Sequence, residues 1–145
     1  MHTTQFYVHN PSWNNITKFA DCIFGSIQIS LPSLGKYACE PGTLVSLVAI
    51  QKTDFVVDKI VPQKGMKNFT IGLHKSDIDG LWKWWGYNNT EYLAVQPFNP
   101  KPEDKYAHEW NNRGFNWKIE TNLDEPMPFV CQIQACDSSY ICDLS

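Results

Sequence analysis

The sequence has little charge and no long apolar run. Its 145 residues include 12 Lys and Arg and 15 Asp and Glu, and Arg113 is the single arginine. Nucleic acids and anionic membranes attract basic surfaces, so neither is an expected partner. No apolar segment reaches the length of a membrane-spanning helix, so we expect no membrane insertion. The length suits one domain that can bury a core.

The sequence also lacks the residue spacings of a zinc site or an enzyme. The five Cys form no Cys-x-x-Cys pair, and no His is spaced to complete a zinc site. Asp104, His108 and Glu109 could supply acid–base groups, but no nucleophile motif accompanies them, and the carboxylates here are typical of a solvated face. We therefore expect a protein that is not an enzyme and that has no cofactor.

Aromatic residues and glycosylation sequons, by contrast, are plentiful. Aromatic residues make up 14% of the chain, and six are Trp. Core packing is their commonest use, but exposed aromatics mark binding surfaces. Sequons for N-glycosylation begin at Asn15, Asn68 and Asn88. Together with the Cys they favour a secreted protein or the extracellular domain of a cell-surface protein. The first residues are not a signal peptide, so we expect a fragment of a longer protein.

The local patterns predict an α+β domain. Strands are predicted at Gln5–His9, Cys22–Ser30 (with Gly25 a candidate bulge), Thr43–Ile50, Asn68–Leu73 and Pro128–Ile133. Helices are predicted at Leu31–Cys39 and Thr53–Val61, the second capped by Thr53 and stopped by Pro62. From Lys75 to about Phe115 the periodicity fades, which predicts a long, internally packed loop.

Six short motifs follow one another along the chain. They are Ala38-Cys-Glu-Pro-Gly-Thr-Leu-Val-Ser46, Phe69-Thr-Ile-Gly-Leu73, Trp82-Lys-Trp-Trp85, Gln96-Pro-Phe-Asn99, Pro102-Glu-Asp104 and Phe129-Val-Cys-Gln132. In this order and at about these spacings, they resemble a C-type lectin-like domain from roughly Trp13 to Gln132. The resemblance implies two helices, antiparallel sheets and a long irregular loop region that is functional. It also implies a single domain over 1–145, with a core at about 13–132 and a Cys-containing tail at 133–145.

The resemblance implies a disulfide between Cys39 and Cys131. The second bridge of the family is expected to be missing, because no Cys lies between these two. Cys22 falls at a family position whose usual upstream partner is absent here. Because the terminal strands lie together in this fold, we expect Cys22 to pair with Cys136 or Cys142. The alternative is a Cys136–Cys142 bridge that leaves Cys22 free.

The resemblance also suggests that the family's calcium site has lost ligands. Calcium takes six to eight oxygen ligands. Gln96 and Glu103 stand at ligand positions, but Phe98 replaces the last residue of the Gln-Pro-Asp motif and coordinates nothing. The family's calcium site also uses an Asn-Asp pair, which can be aligned with this sequence in two plausible registers. One keeps Asn116 and replaces Asp with Trp117; the other falls on Lys118-Ile119 and loses both ligands. We expect no strong calcium site.

Three functions are consistent with these features. The first is a recognition or adhesion module for a protein or glycan ligand that works without calcium, through an aromatic loop surface. Its candidate contacts are Trp85, Tyr87, Phe98, Trp110, Arg113 and Trp117, since Trp, Tyr and Arg dominate interface energies. The second is a carbohydrate-binding lectin with a weak or modified calcium site. Its polar contacts would be Gln96, Asn99, Glu103 and Asn116. The third is a structural module whose aromatics are core.

Overall fold

The strands and helices are taken from a computed structural model that describes residues 2–10, 15–87, 90–97, 99–112 and 116–134. Nine strands occur in these ranges: β1 (His2–Asn10), β2 (Asn15–Ser30), β3 (Thr43–Leu44), β4 (Asn68–Lys75), β5 (Trp82–Trp85), β6 (Glu91–Leu93), β7 (Tyr106–Asn112), β8 (Asn116–Asn122) and β9 (Met127–Gln134). The helices are a 3-10 turn (Pro32–Leu34) that leads into α1 (Gly35–Ala38), and then α2 (Ile50–Phe55), a π-helical segment (Val56–Ile60) and α3 (Val61–Lys64).

The strands form one mostly antiparallel sheet in which β2 pairs with β9. The order is β1-β2-β9-β4-β5-β6, with β3 on β9 and the β7–β8 hairpin on β4. One parallel bridge, Thr70 to Phe129, joins β4 to β9. The α+β prediction is confirmed, as are the strands predicted around Gln5–His9, Asn68–Leu73 and Pro128–Ile133.

The second helical segment is longer than predicted. It begins after Ala49, which makes no side-chain capping bond, and ends at Gly65 in the left-handed conformation (φ 63°). Pro62 therefore lies inside the segment rather than stopping it. Proline cannot donate a backbone hydrogen bond, and its ring crowds the preceding turn. The wider π-helical turn at Val56–Ile60 precedes it and accommodates it.

Two other local predictions are wrong. The run Thr43–Ile50 pairs as a strand only at Thr43 and Leu44, although Val45 and Leu47 beyond it are buried. Gly25 keeps its register with Val130, and the irregularity in β2 lies between Ser26 and Ser30. Close packing explains the glycine: a Cβ there would come within 2.9 Å of the Ile60 Cγ2 atom.

The core lies between the sheet and the second helical segment. Its fully buried members come from β2, the helices and the central strands, and include Ile23, Val45, Val56, Phe69, Ile71 and Val130. Trp82 and Trp84 are also buried. The segment predicted as one long loop therefore contains β5, β6 and β7, and its alternate Trp side chains anchor β5.

The disulfide Cys39–Cys131 is confirmed and ties α1 to the central strand β9. Its closed loop spans 92 residues. In the chain-entropy model, a loop of this length stabilises the folded state by about 4–5 kcal/mol. Cys22 is also disulfide-bonded, which excludes the alternative with Cys22 free. Its predicted partners, Cys136 and Cys142, lie outside the described residues.

Candidate functional site

The long segment between β4 and β7 forms a surface with two clefts that share Lys75. The first, which we call the Leu93 cleft, has a volume of about 350 Å³. It lies between the β5–β6 hairpin and the chain that follows it. Its lining consists of Lys75, Gly80, Leu81, Trp82, Leu93, Ala94, Gln96, Pro100, Lys101 and Pro102.

The second cleft, of about 260 Å³, has the ring of His74 on one wall. The imidazole stacks on Trp85 with 3.9 Å between ring centroids and an interplanar angle of 16°. Both ring nitrogens meet oxygens: Nδ1 lies 2.9 Å from the Gly72 carbonyl, and Nε2 lies 2.6 Å from Oε1 of Glu91. Trp85 and Glu91 are therefore fixed against β4 by one buried histidine.

Tyr87 is anchored to a buried ion pair. Its hydroxyl donates to Oδ1 of Asp21 at 2.5 Å, and Nζ of Lys52 donates to Oδ2 of the same carboxylate at 2.9 Å. Lys52 also bonds the Gln132 side chain, and neither Lys52 nor Asp21 is more than 2% exposed. Burial lowers the pKa of Lys52, and burial together with Asp21 raises that of Tyr87. The loop that carries Tyr87 is thus tied to β2, α2 and β9.

Trp110 and Trp117 lie on opposite faces of the β7–β8 hairpin. Trp117 pairs with Asn111, whereas Trp110 pairs with Lys118. Directly opposed residues share a face and successive residues alternate, so the two indoles point in opposite directions. Trp117 packs on buried Phe69 with 5.6 Å between ring centroids. Both indoles are half-buried, and they do not form one continuous aromatic patch.

The carboxylates of this region do not form the solvated face predicted from the sequence. Glu91 bonds His74, and Asp104 is 4% exposed and accepts a hydrogen bond from Thr121 at 2.7 Å. Glu109 is 3% exposed, and burial raises its pKa to about 7. Among these four acidic residues, only Glu103 is exposed. Glu109 is buried because it shares with Ala107 the face of β7 that packs against the core.

The acid–base groups considered from the sequence do not converge. His108 and Glu109 are successive residues of β7 and so lie on opposite faces. Nδ1 of His108 lies 2.8 Å from Oδ1 of Asn122, while Asp104 is bound to Thr121.

Neighbouring solved structures identify this architecture. No family model matches the chain, and no curated protein matches it. Among solved structures, the murine dendritic cell inhibitory receptor 2 domain in complex with N-glycan is 16% identical, with 79% of this chain and 91% of that chain covered and a TM-score of 0.63. The chain has the C-type lectin fold.

Two further solved structures, whose names indicate other binding properties, have a similar fold. The Ca²⁺-independent lectin SPL-2 from Saxidomus purpuratus is 16% identical, covers 81% of this chain and 88% of its own, and has a TM-score of 0.62. EMS16, an antagonist of the collagen receptor integrin α2β1, is 16% identical, covers 79% and 92%, and has a TM-score of 0.55. At these identities the likeness shows the fold and not the ligand.

The polar residues predicted to contact a ligand are exposed on this C-type lectin fold. Gln96, Asn99, Glu103 and Asn116 all face solvent, and Asn99 has a positive φ of 48°. Within the described ranges, no group of three or more His, Cys, Asp or Glu side chains is placed to hold a metal ion. Phe98 and Arg113 lie outside the described residues.

Sequence reasoning missed the aliphatic side chains of this surface. Ile78 is 93% exposed, Val95 is 91% exposed and Leu93 is 72% exposed. All three lie between β4 and the turn that follows β6, beside the two clefts. The run Tyr92-Leu-Ala-Val95 was the available signal, because an apolar run inside a segment otherwise rich in Asn and Pro is unusual for a solvated loop.

Proposed function

We propose that this domain is an extracellular recognition module that binds a protein or glycan ligand, without calcium, through the surface between β4 and β7. The observation that carries the proposal is the exposure of Ile78, Leu93 and Val95 beside two clefts. Ile78 lines one cleft and Leu93 lines the other, and exposed apolar groups next to a cleft are typical of interaction sites. The predicted aromatic contacts Trp85 and Trp110 remain part of the proposal as half-buried anchors.

Most of the nearby carboxylates are hydrogen-bonded to other side chains or buried, which supports binding without calcium. Glu91 is held by His74 and Asp104 by Thr121, and Glu109 is buried. Glu103 alone leaves too few charged oxygens for a cation that takes six to eight ligands. In the same direction, SPL-2 shows that the C-type lectin fold is compatible with calcium-independent binding.

The neighbours support both ligand classes and a binding rather than a catalytic role. The murine receptor domain is in complex with an N-glycan, and EMS16 is an antagonist of an integrin. An extracellular setting is supported by the Cys39–Cys131 disulfide. No helix in the described part of the chain is long and apolar enough to cross a membrane.

Glycan mapping tests the extracellular setting. In protein from a secretory mammalian host, mass spectrometry should find glycans at Asn15 and Asn88. Occupancy at Asn68 should be low, because this residue is half-buried in β4 and Thr70 of its sequon is 2% exposed. Three unmodified sequons would count against secretion.

Binding measured with and without chelator tests calcium independence. We expect thermal melting to be unchanged by millimolar calcium, since a ligand that binds only the native state raises the melting temperature. Glycan-array and cell-surface binding should survive chelator. Binding that collapses in chelator would overturn the proposal and favour the alternative, a lectin with a modified calcium site. The exposed oxygens of Gln96, Asn99 and Glu103 are the observation that favours this alternative.

Surface variants test the location of the site. Leu93→Ser and Val95→Ser should reduce binding at least tenfold without changing the melting temperature, because both side chains are largely exposed. Ile27→Ser is the matched control: Ile27 is 63% exposed but lies on β2, away from the loop segment. Trp117→Ala is a poor test, because its packing on Phe69 makes it a folding variant as well. Equal binding by the Leu93, Val95 and Ile27 variants would show that the binding site lies elsewhere on the domain.

A further inference from the structure

We propose that the Leu93 cleft binds an acidic saccharide, whose carboxylate or sulfate group is held between Lys75 and Lys101. The inference rests on the proposed function and specifies the ligand class of that same surface. Both lysines line the cleft, together with the amide of Gln96, and none of the described residues that line it is a carboxylate. The cleft therefore offers two cations to one small ligand.

These two lysines are not neutralised by the protein. Within the part of the chain that the structure describes, neither Lys75 nor Lys101 takes part in a salt bridge. The neighbouring carboxylates already have other partners: Asp79 pairs with Lys83 at 2.9 Å, Asp77 pairs with Lys105 at 3.0 Å, and Glu91 contacts the His74 ring at 2.6 Å. Glu103 is exposed next to Pro102 but does not line the cleft. A bound anion would complete two charge pairs that the fold leaves open.

The walls suit a sugar ring. Leu81, Leu93, Pro100 and Pro102 supply apolar surface, and Gln96 supplies both a donor and an acceptor. A pyranose has apolar ring faces and polar edges, so it can use both. The volume of about 350 Å³ is at the small end of the range of about 300–1,000 Å³ for small-ligand sites. β6, the edge strand beside the cleft, has three residues, which is too few to pair with an extended peptide.

Titration with defined oligosaccharides tests this assignment. The probes are a sulfated heparin hexasaccharide, a hyaluronan hexasaccharide, and a desulfated, carboxyl-reduced heparin hexasaccharide. Each is measured by calorimetry in chelator and again in millimolar calcium. We expect an acidic probe to bind, the neutral probe not to bind, and binding to weaken as salt rises. Lys75→Gln and Lys101→Gln should each weaken binding about tenfold, which corresponds to about 1.4 kcal/mol.

The matched control is Lys67→Gln, which removes the same charge from an exposed lysine that does not line the cleft. Equal losses in all three variants would show non-specific attraction and overturn the proposal. Lys101 is exposed, so Lys101→Gln keeps the test valid if Lys75→Gln destabilises the fold. If no acidic probe binds while another ligand still depends on Leu93 and Val95, the inference fails and the proposed function stands. Binding of the acidic probes that needs calcium would overturn the proposed function itself.

Discussion

Glu109 should make this domain less stable as the pH rises. The side chain is 3% exposed, and its Oε2 atom has no hydrogen-bond partner among the described residues. Phe69 on β4 and Ile119 on β8 are its cross-strand neighbours. Burial disfavours the charged carboxylate, which raises the pKa to about 7 from the ordinary value of 4.5. The folded state therefore holds this proton more tightly than the unfolded state does.

The sign and the size of the effect follow from linkage. Folding raises the pKa of Glu109. Its stabilising contribution to the folded state is therefore fully present below pH 4.5 and is lost as the pH rises through about 7. The two values differ by about 2.5 pH units, and each unit corresponds to about 1.36 kcal/mol. The total is about 3 kcal/mol, which is large beside a typical free energy of unfolding of about 5–15 kcal/mol.

The variant Glu109→Gln should abolish this pH dependence. Denaturant titrations at pH 5, 6, 7 and 8 would give the free energy of unfolding of each protein. Most of the 3 kcal/mol difference should develop between pH 5 and pH 8, with the wild type losing stability relative to the variant. Burying the amide of the variant can shift its free energy of unfolding by the same amount at every pH. Such a shift does not affect the test, because the test compares how steeply the free energy of unfolding changes with pH. Glu125→Gln, at an exposed position, is the control and should follow the wild type. Parallel curves for wild type and Glu109→Gln would refute the reasoning.

Two further stability predictions follow from buried features. Lys52→Met should cost about 3–5 kcal/mol, because it leaves the Asp21 carboxylate buried without its cation. Lys59→Met, at an exposed position of the same helical segment, should cost little, and equal losses in a urea titration would contradict this explanation. Replacing Cys39 and Cys131 together with Ala, which leaves the disulfide of Cys22 in place, should lower stability by about 4–5 kcal/mol. Peptide mapping that joined Cys39 to a different cysteine would contradict the fold.

The sequence was most informative where a pattern is local or a motif is specific. β4 and β9 are apolar runs buried in the middle of the sheet, so their composition alone predicts them. The Cys39–Cys131 bridge was implied by the resemblance of the motifs around both residues to a C-type lectin-like domain. β8 was missed because most of its side chains are exposed, which leaves no apolar alternation to detect. The prediction that the second helix ends at Pro62 was wrong, because a π-helical turn accommodates a residue that ordinarily ends a helix.

Long-range polar contacts leave no trace in the sequence. Asp21 and Lys52 are separated by 31 positions, and each would ordinarily be assigned to the surface. Their burial depends on β2 and α2 meeting, which no local pattern reports. The sequence likewise does not show on which face of a sheet an aromatic side chain lies. Trp110 and Trp117 separate onto two faces because of the register between β7 and β8, and a shift of one residue would reverse the assignment.

The aromatic richness of the long segment therefore has a structural reason that differs from the one its sequence suggests. A segment of this length whose strands are short and joined by irregular chain needs anchors to hold one conformation. Trp82 and Trp84 enter the core and Tyr87 bonds Asp21, while Trp117 on the following strand, β8, packs on Phe69. With those rings fixed to the scaffold, the aliphatic side chains beside the clefts are the ones left facing solvent. Substituting the anchors should change folding first, whereas substituting the exposed aliphatics should change binding first. That separation gives the proposed site a test independent of any particular ligand.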